Sequence, residues 1–139
     1  MAEKEKKKWE RFFRNDKFAG YVGIELEDIS PGWARVRCEI KDHHLNGLRC
    51  VHGGMLFTLA DMAFAAAANS YGKIAVALNT SMSFTKAAKG PVVYAEAKEV
   101  SRTGRHAVYS VNLTDAGGTV AAFQGLAYVK NEAWGARLE

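Results

Sequence analysis

One carboxylate stands inside the most apolar stretch of the chain. From Phe57 to Ala68 the sequence reads FTLADMAFAAAA, and Asp61 is its one charged residue. Burying an ionised carboxylate without a partner costs free energy, and the usual response is a raised pKa. Asp61 therefore either reaches water or an arginine from the helix surface, or faces a cleft as a base or nucleophile. Position alone does not separate these two interpretations.

Two glycines begin the same stretch. Gly53 and Gly54 stand where a helix of about residues 53–70 is predicted to start, and the first turn of a helix has unsatisfied N–H groups at the positive end of its dipole. Glycine lets a ligand approach this backbone closely. Such a terminus can hold a carbonyl oxygen as negative charge develops on it, although glycines are also common at helix starts for structural reasons alone.

The spacing of Gly53 and Asp61 predicts an oligomer. Eight residues of helix place them roughly 12 Å apart along the axis and about 80° apart around it. An attacking group must lie about 3–3.5 Å from its target carbon. One chain cannot bring both groups to the same carbonyl, whereas two antiparallel copies of the helix can. If both residues are catalytic, the protein is at least a dimer with two equivalent sites.

Two polar residues precede the helix. Asn46 carries an amide that can orient a water or bind a carbonyl, and it is also a typical turn residue before Gly47. His52 can fix the glycine loop by a hydrogen bond or carry a proton. The histidines and cysteines have no zinc-ligand spacing, so we expect no metal. A thiol dyad of Cys50 with His52 is disfavoured because the two are only two positions apart.

Length and composition favour one globular domain over residues 1–139. The chain is 48% hydrophobic, with a net charge of +4 and a pI near 9.1. The excess of lysines near the N-terminus is typical of a solvated helix face, and no nucleic-acid-binding motif is present. The charged N-terminus is unlike a secretory signal, and no apolar run suits a membrane span. We therefore expect a cytoplasmic protein.

Hydrophobic periodicity predicts the elements that position these residues. An amphipathic helix is expected at 3–15, a break at 17–20, a frayed tail at 131–139, and strands at 21–29, 33–40, 74–84, 92–100, 106–113 and 119–129, the third with an irregularity at Asn79–Thr80. Short connections predict that the last four strands are antiparallel neighbours. The fold expected is α+β: a curved antiparallel sheet wrapped around the long central helix, the hotdog fold.

The combination of Asn46-Gly47, Val51-His52-Gly53-Gly54 and Leu59-Ala60-Asp61 resembles the PaaI-like acyl-CoA thioesterases of the hotdog superfamily. The resemblance covers roughly residues 18–130. It implies hydrolysis of an acyl-CoA to an acid and CoA, with no cofactor, because CoA is part of the substrate. Relatives act on aryl-acetyl groups, as in phenylacetate degradation, and on medium or long acyl chains.

The resemblance also assigns roles to individual residues. Asp61 corresponds to the catalytic carboxylate, as nucleophile or general base, and the Gly53 N–H would polarise the thioester carbonyl. Asn46 would help to place water or substrate, and His52 would support the loop. The assisting hydroxyl of relatives has no clear counterpart, and Asn79 and Thr80 are both candidates. Further expected substrate contacts are Gly54, Phe57, Met62 and Phe84 around the helix.

The phosphates of CoA require cations. Lys86, Lys89, Arg102 and Arg105 fall in or beside loops, and Arg105 is the strongest single candidate. For any one of them, ordinary surface charge is the alternative interpretation. We expect the two copies to join their last-strand edges into one sheet, and two dimers to form a tetramer.

Two other functions compete with the thioesterase hypothesis. The alternative kept open is a non-catalytic acyl-CoA binding module, a sensor or a carrier. The complete set of Asn46, His52, Gly53 and Asp61 favours the enzyme, and no appended DNA-binding domain is visible. A hotdog dehydratase would use a differently spaced histidine and acid, which this sequence lacks.

Overall fold

Six strands and one long helix form most of the chain in the computed structural model, which describes residues 3–137. The helices are α1 (Glu3–Arg14), α2 (Lys17–Val22) and α3 (Gly53–Asn69), and single 3-10 turns lie at Asp42–His44 and Trp134–Arg137. The strands are β1 (Ile24–Ser30), β2 (Trp33–Glu39), β3 (Lys73–Phe84), β4 (Val92–Thr103), β5 (His106–Asp115) and β6 (Gly118–Ala133). The predicted α+β class is confirmed.

The strands form one antiparallel sheet in the order β1-β2-β4-β5-β6-β3, and α3 packs against all six. This is the expected hotdog arrangement. Gly125 of β6 allows a close approach of α3, because a Cβ there would lie 2.8 Å from the ring of Phe64. Within residues 3–137, no helix is long and apolar enough to cross a membrane.

The expected order of the last four strands is wrong at one position. β3 does not pair with β4; it pairs with β6 and forms an edge of the sheet. The segment between β3 and β4 is anchored beneath the start of α3, where Ala88 is buried and its carbonyl accepts a hydrogen bond from the Val51 N–H at 3.0 Å. This anchoring carries the chain away from β3. β6 is therefore an interior strand and cannot supply the sheet edge expected at the dimer interface.

Residues 17–20, where a break is expected, are helical. The same helix also includes the first residues of the first predicted strand. The Asp16 side chain caps α2 by accepting the Ala19 N–H at 2.9 Å, and Gly23 ends the helix with a positive φ of 92°. Tyr21 and Val22 therefore belong to α2, and β1 begins at Ile24. A capped turn of six residues is too short to give a clear helical period.

The tail expected to be frayed is ordered as far as the structure describes it. β6 continues to Ala133, and the next residue, Trp134, is buried. The Trp134 ring lies 4.3 Å from the ring of Trp9 in α1, and its Nε1–H donates to the Asn69 carbonyl at 3.0 Å. Burial of two indole rings explains the order. Residues 138 and 139 lie outside the described residues.

Candidate active site

Asp61 lies half-buried in α3, beside a cleft of about 190 Å³ whose other lining residues include Phe64, Ala65 and Ala127. Its carboxylate makes no hydrogen bond or ion pair with any residue from 3 to 137. Burial, and then the negative charge of Asp16, raises the pKa of the Asp61 carboxyl above its ordinary value of 3.8. The structure thus places Asp61 at a cleft, as the catalytic interpretation requires.

His52 caps the N-terminus of α3. Its Nδ1 accepts the Gly54 N–H at 2.8 Å, so a neutral ring carries its proton on Nε2. The Gly54 amide is therefore already bonded and is not a second donor for a ligand. The Gly53 N–H has no acceptor within residues 3–137 and points out of the first turn. Of the two glycines, Gly53 is the one with a free backbone donor.

The structure keeps Gly53 and Asp61 on one regular helix. α3 is continuous from Gly53 to Asn69, so the helical spacing of roughly 12 Å along the axis holds. A single chain does not bring the Gly53 amide and the Asp61 carboxylate to one carbonyl carbon.

Asn46 forms a turn of its own. Its Oδ1 accepts the N–H groups of Leu48 at 2.9 Å and Cys50 at 3.1 Å, and its backbone N–H donates to the Cys50 carbonyl at 2.8 Å. The turn holds the segment that leads into α3. The side-chain oxygen of Asn46 therefore stabilises the turn, as expected of a typical turn residue. Only its Nδ2 is left to contact a ligand.

A bulge in β3 precedes Asn79 and Thr80, the two candidates for the assisting hydroxyl, and decides which face of the sheet each occupies. Leu78 is left without a partner between Ala77, paired with Ala127, and Asn79, paired with Leu126. Thr80 pairs with Gly125, on which the Phe64 ring of α3 lies, and directly opposed residues share a face. Thr80 therefore faces α3, whereas Asn79 faces the outer side of the sheet.

The three expected apolar contacts, Phe57, Met62 and Phe84, lie apart from one another. Phe84 is 55% exposed and lies against Gly53, and Phe57 is 37% exposed with its ring 5.7 Å from the ring of Phe123. Met62 is buried and faces Phe12 of α1. The sequence groups these side chains around one helix, but Phe57 and Met62 have different neighbours along α3, and Phe84 belongs to β3.

Four cations surround one pocket of about 370 Å³ at the far end of α3. Arg102 and Arg105 both line it, together with Lys73 and Lys130. The Arg102 guanidinium lies 4.2 Å from the centre of the Tyr71 ring. Arg102 also approaches Glu99 at 3.7 Å, and Arg105 donates to the Val129 carbonyl at 3.1 Å.

Lys86 and Lys89 lie at the other end of the sheet. The Lys86 Nζ donates to the Gly117 carbonyl at 2.8 Å, and the Lys89 backbone N–H donates to Asp115 at 3.0 Å. β5 separates this turn from the four-cation pocket by its full length, roughly 30 Å. Within one chain, these lysines and Arg105 cannot contact the same phosphate.

Sequence reasoning missed three contributors near the site. Asp16 acts on Asp61 through its charge, and its only sequence signal is that aspartate commonly caps helices. Lys73 and Lys130 join the cationic pocket only because β3 pairs with β6. Among residues 3–137, no cluster of three or more His, Cys, Asp or Glu side chains could hold a metal ion.

Comparisons with known proteins agree with this arrangement. The Thioesterase superfamily model matches residues 49–122. The acyl-coenzyme A thioesterase PaaI of Escherichia coli is 34% identical over 115 residues, which are 81% of this chain and 82% of that protein. The solved structure of E. coli PaaI matches with a TM-score of 0.87 and 30% identity, covering 94% of this chain and 96% of that one.

A further solved relative holds a ligand. The structure of a hypothetical thioesterase from Streptococcus pneumoniae with coenzyme A has a TM-score of 0.75 and 26% identity, covering 81% of this chain and 93% of that chain. The family match spans the start of α3 and Asp61, and the structural match extends over nearly the whole chain. The chain therefore belongs to the thioesterase superfamily, as a PaaI-like thioester hydrolase of the hotdog fold.

Proposed function

We propose that the protein hydrolyses acyl-CoA thioesters, with Asp61 acting on the carbonyl carbon as a nucleophile or as a general base towards water. The Asp61 carboxylate carries this proposal: it lies at a cleft, has a raised pKa, and has no hydrogen bond or ion pair within residues 3–137. A carboxylate with a raised pKa is a stronger base. In the net reaction, water supplies OH to the acyl carbon and a proton to the departing CoA thiolate.

The proposed site is completed by a second copy of the chain. The Gly53 N–H of one copy stabilises the oxyanion that forms at the Asp61 of the other, because one helix holds these groups too far apart. The edge strand β3 supports this arrangement. It is unpaired on its outer side within the described chain and exposes Val76 and Leu78. Joining two β3 edges would continue the sheet and place the two α3 helices side by side.

The neighbouring residues have supporting roles in this proposal. His52 holds the first turn of α3 through its bond to Gly54, and Asn46 holds the preceding loop while its Nδ2 contacts water or substrate. Thr80 is the better of the two candidates for the assisting hydroxyl, since it faces α3. No step in this scheme requires a metal or a cofactor.

The CoA portion of the substrate binds at the cationic pocket. Arg102, Arg105, Lys73 and Lys130 supply positive charge at one place, and guanidinium groups bind phosphate oxygens in pairs. Two observations on relatives support a CoA ester: the name of the E. coli protein and the coenzyme A in the S. pneumoniae structure.

Two dimers form a tetramer in this proposal, through the outer face of the β5-β6-β3 part of the sheet. In the middle of these strands the outward-facing side chains are uncharged; they include Ser110, Asn112, Gln124 and Leu126. The outer face of β2 and β4 instead carries charged residues such as Arg35 and Glu96. Interfaces are depleted of charge at their centres.

Release of free thiol from a panel of acyl-CoAs tests the function. The wild type is expected to hydrolyse phenylacetyl-CoA or octanoyl-CoA. Asp61→Asn keeps the shape of the side chain and should lose roughly 10²- to 10⁴-fold in kcat while it still binds octanoyl-CoA. Asp28→Asn, a change of an exposed carboxylate in β1, is the matched control and should retain activity. Equal turnover by Asp61→Asn would reject the proposed role.

A further inference from the structure

Tyr71 contacts one of the four cations of the pocket at the far end of α3. Of the described residues that line this pocket, Tyr71 alone is aromatic. The central carbon of the Arg102 guanidinium lies 4.2 Å from the centre of the Tyr71 ring, and a cation is attracted to an aromatic face within roughly 6 Å. The N–H groups of a guanidinium lie in its plane, so a guanidinium over a ring keeps donors available for an anion.

An irregularity in β4 brings Glu99 and Arg102 to the same face of the sheet. Glu99 pairs with Tyr109 of β5, and Arg102 pairs with Ala107. Tyr109 and Ala107 are both buried, and directly opposed residues share a face. In a regular strand, residues three apart face opposite sides, but here the register shifts between Glu99 and Ser101. The bulge therefore places both charged side chains on the inner face.

Glu99 fixes the Tyr71 ring. Its Oε2 accepts the Tyr71 hydroxyl at 3.0 Å, and its Oε1 accepts the hydroxyl of the buried Tyr109 at 3.0 Å. Burial first, and then the Glu99 carboxylate, raises the pKa of both phenols, so both hydroxyls keep their protons and donate at neutral pH. The Tyr109 ring packs 5.8 Å from the ring of Phe64 in α3, which anchors this cluster in the core.

The turn between β1 and β2 packs on the Tyr71 hydroxyl. A Cβ at Gly32 would lie 2.8 Å from that oxygen. The Gly32 N–H donates to Ser70 Oγ at 2.7 Å, and the Gly32 carbonyl accepts the Glu99 N–H at 2.9 Å. Ser70 directly precedes Tyr71, so the turn holds both the backbone and the hydroxyl end of this side chain, which is 43% exposed.

Glu99 leaves the donors of Arg102 available. The Arg102 Nη1 lies 3.7 Å from the Glu99 Oε1, which is longer than a hydrogen bond. Within residues 3–137, Arg102 has the contact with Glu99 and the contact with the Tyr71 ring, and no hydrogen bond. A phosphate can therefore bind the guanidinium N–H groups without displacing a protein acceptor.

We infer that Tyr71 is a positioning residue for the CoA nucleotide: its ring presents the Arg102 guanidinium to a phosphate, and Glu99 holds the ring in place. The inference rests on the proposed CoA site. A long arginine side chain loses rotamer freedom when it binds an anion, and a preformed contact with a fixed ring reduces that cost. Tyr71 thus favours CoA esters over pantetheine esters that lack the nucleotide, without touching the thioester.

Three variants separate the ring from the hydroxyl and supply a control. Tyr71→Leu removes both, and Tyr71→Phe keeps the ring but loses the bond to Glu99. Tyr94→Leu is the matched control, because it removes the ring from a second pair, in which the Arg35 guanidinium lies 4.6 Å from the Tyr94 ring centre. If Tyr71→Leu does not fold, Tyr71→Gln, polar and without a ring, takes its place.

Kinetics with octanoyl-CoA and octanoyl-pantetheine, and calorimetric titration with CoA, measure the effect. Tyr71→Leu should raise KM for octanoyl-CoA and the Kd of CoA about 3- to 10-fold, as expected for loss of one cation–π contact. KM for octanoyl-pantetheine and kcat for both substrates should not change. Tyr71→Phe should stay within about twofold of the wild type, since the ring remains. In an Arg102→Ala background, Tyr71→Leu should have no further effect, because Tyr71 acts through Arg102.

Several results would overturn the inference. An equal rise of KM for both substrates would give Tyr71 a general structural role, and additive effects of Tyr71→Leu and Arg102→Ala would show that the two residues act separately. A Kd for CoA that neither variant changes would overturn the inference and leave the proposed hydrolysis standing. A wild type that binds CoA through Arg102 and Tyr71 but releases no thiol would instead overturn the proposed hydrolysis and support the positioning role.

Discussion

Phe84 covers Gly53, so that a methyl group on the glycine would lie 3.4 Å from the phenyl ring. This contact joins the end of β3 to the first turn of α3. It is an ordinary van der Waals distance, so the fold has room for an alanine, but a ligand approaching the Gly53 N–H does not have the same freedom. The fold and the proposed oxyanion site therefore make different demands on this position.

We predict that Gly53→Ala loses activity without losing stability. The added methyl group lies against the Phe84 ring and narrows the space for a carbonyl oxygen beside the Gly53 N–H, and loss of one such donor costs about 10²- to 10³-fold in kcat. The melting temperature should stay close to that of the wild type. Gly20→Ala is the matched control, because a Cβ at Gly20 meets no atom within 4 Å and the residue lies outside the site. Full activity of Gly53→Ala would remove its amide from the mechanism.

Asp61→Asn should be more stable than the wild type at neutral pH. Because the folded-state pKa of Asp61 is raised above 3.8, the folded protein holds this proton more tightly than the unfolded chain does. Ionisation of Asp61 as the pH rises through that pKa therefore lowers the free energy of unfolding. Asparagine cannot ionise, so the variant avoids this loss.

Thermal unfolding followed by circular dichroism at several pH values measures the effect. The melting temperature of Asp61→Asn should exceed that of the wild type at neutral pH, and the gap should close below pH 3.8, where the carboxyl is protonated in both states. A less stable variant at neutral pH would mean that the ionised carboxylate has a favourable partner in the assembled protein.

Asp16→Asn should shift the pH dependence of the reaction. The negative charge of Asp16 is the second cause of the raised Asp61 pKa, after burial, and the inner face of the sheet beside Asp61 carries the uncharged Ala75, Ala77 and Ala127. Asparagine caps a helix about as well as aspartate, so α2 should be retained. The pKa of Asp61 falls, and the acidic limb of kcat/KM moves to lower pH.

A pH profile from acidic to neutral conditions measures this shift, with Asp28→Asn as the control. Asp28 also accepts a local backbone N–H, from Ile29 at 2.8 Å, but it does not act on Asp61. Superimposable profiles for Asp16→Asn and the wild type would show that Asp16 does not influence the reacting carboxylate.

The sequence was sufficient for the elements whose signals are local. The apolar run after Gly53 predicts α3 to within one residue, and the alternation in Trp33–Glu39 predicts β2. A cleft at Asp61 was one of the two interpretations that a carboxylate in an apolar helix left open. Each of these depends on side chains close together along the chain.

Non-local contacts could not be predicted in the same way. The anchoring of Ala88 under Val51 determines which strand pairs with β3. The C-terminal tail is ordered because Trp134 is buried against Trp9. The bulge at Leu78 decides that Thr80, and not Asn79, faces α3. In each case the deciding partner lies far away in the sequence.

Arg105→Ala should weaken the binding of the CoA nucleotide specifically. A hydrogen bond to a charged group contributes about 1.5–3 kcal/mol, which is roughly 10- to 100-fold in KM. KM for octanoyl-CoA should rise by such a factor, while KM for octanoyl-pantetheine, which lacks the nucleotide phosphates, should not change. Lys98→Ala removes an exposed cation paired with Glu96 and is the control. Equal effects on both substrates would contradict phosphate binding by Arg105.

Leu78→Lys should dissociate the proposed dimer and, as a consequence, abolish turnover. Leu78 is 54% exposed and unpaired in the bulge of the edge strand β3, so a lysine there places charge on the proposed interface at little cost to the monomer fold. Val100→Lys changes a similarly exposed apolar residue, 63% exposed in the interior strand β4, and should leave the dimer and its activity intact.

Analytical ultracentrifugation gives the mass of each variant, and thiol release gives its activity at the same protein concentration. A folded Leu78→Lys monomer should be inactive because one chain holds Gly53 and Asp61 roughly 12 Å apart along α3. A monomer that hydrolyses octanoyl-CoA at the wild-type rate would refute the shared site, since one chain would then supply both the carboxylate and the oxyanion donor. A variant that stays dimeric but loses activity would instead place Leu78 in the site itself.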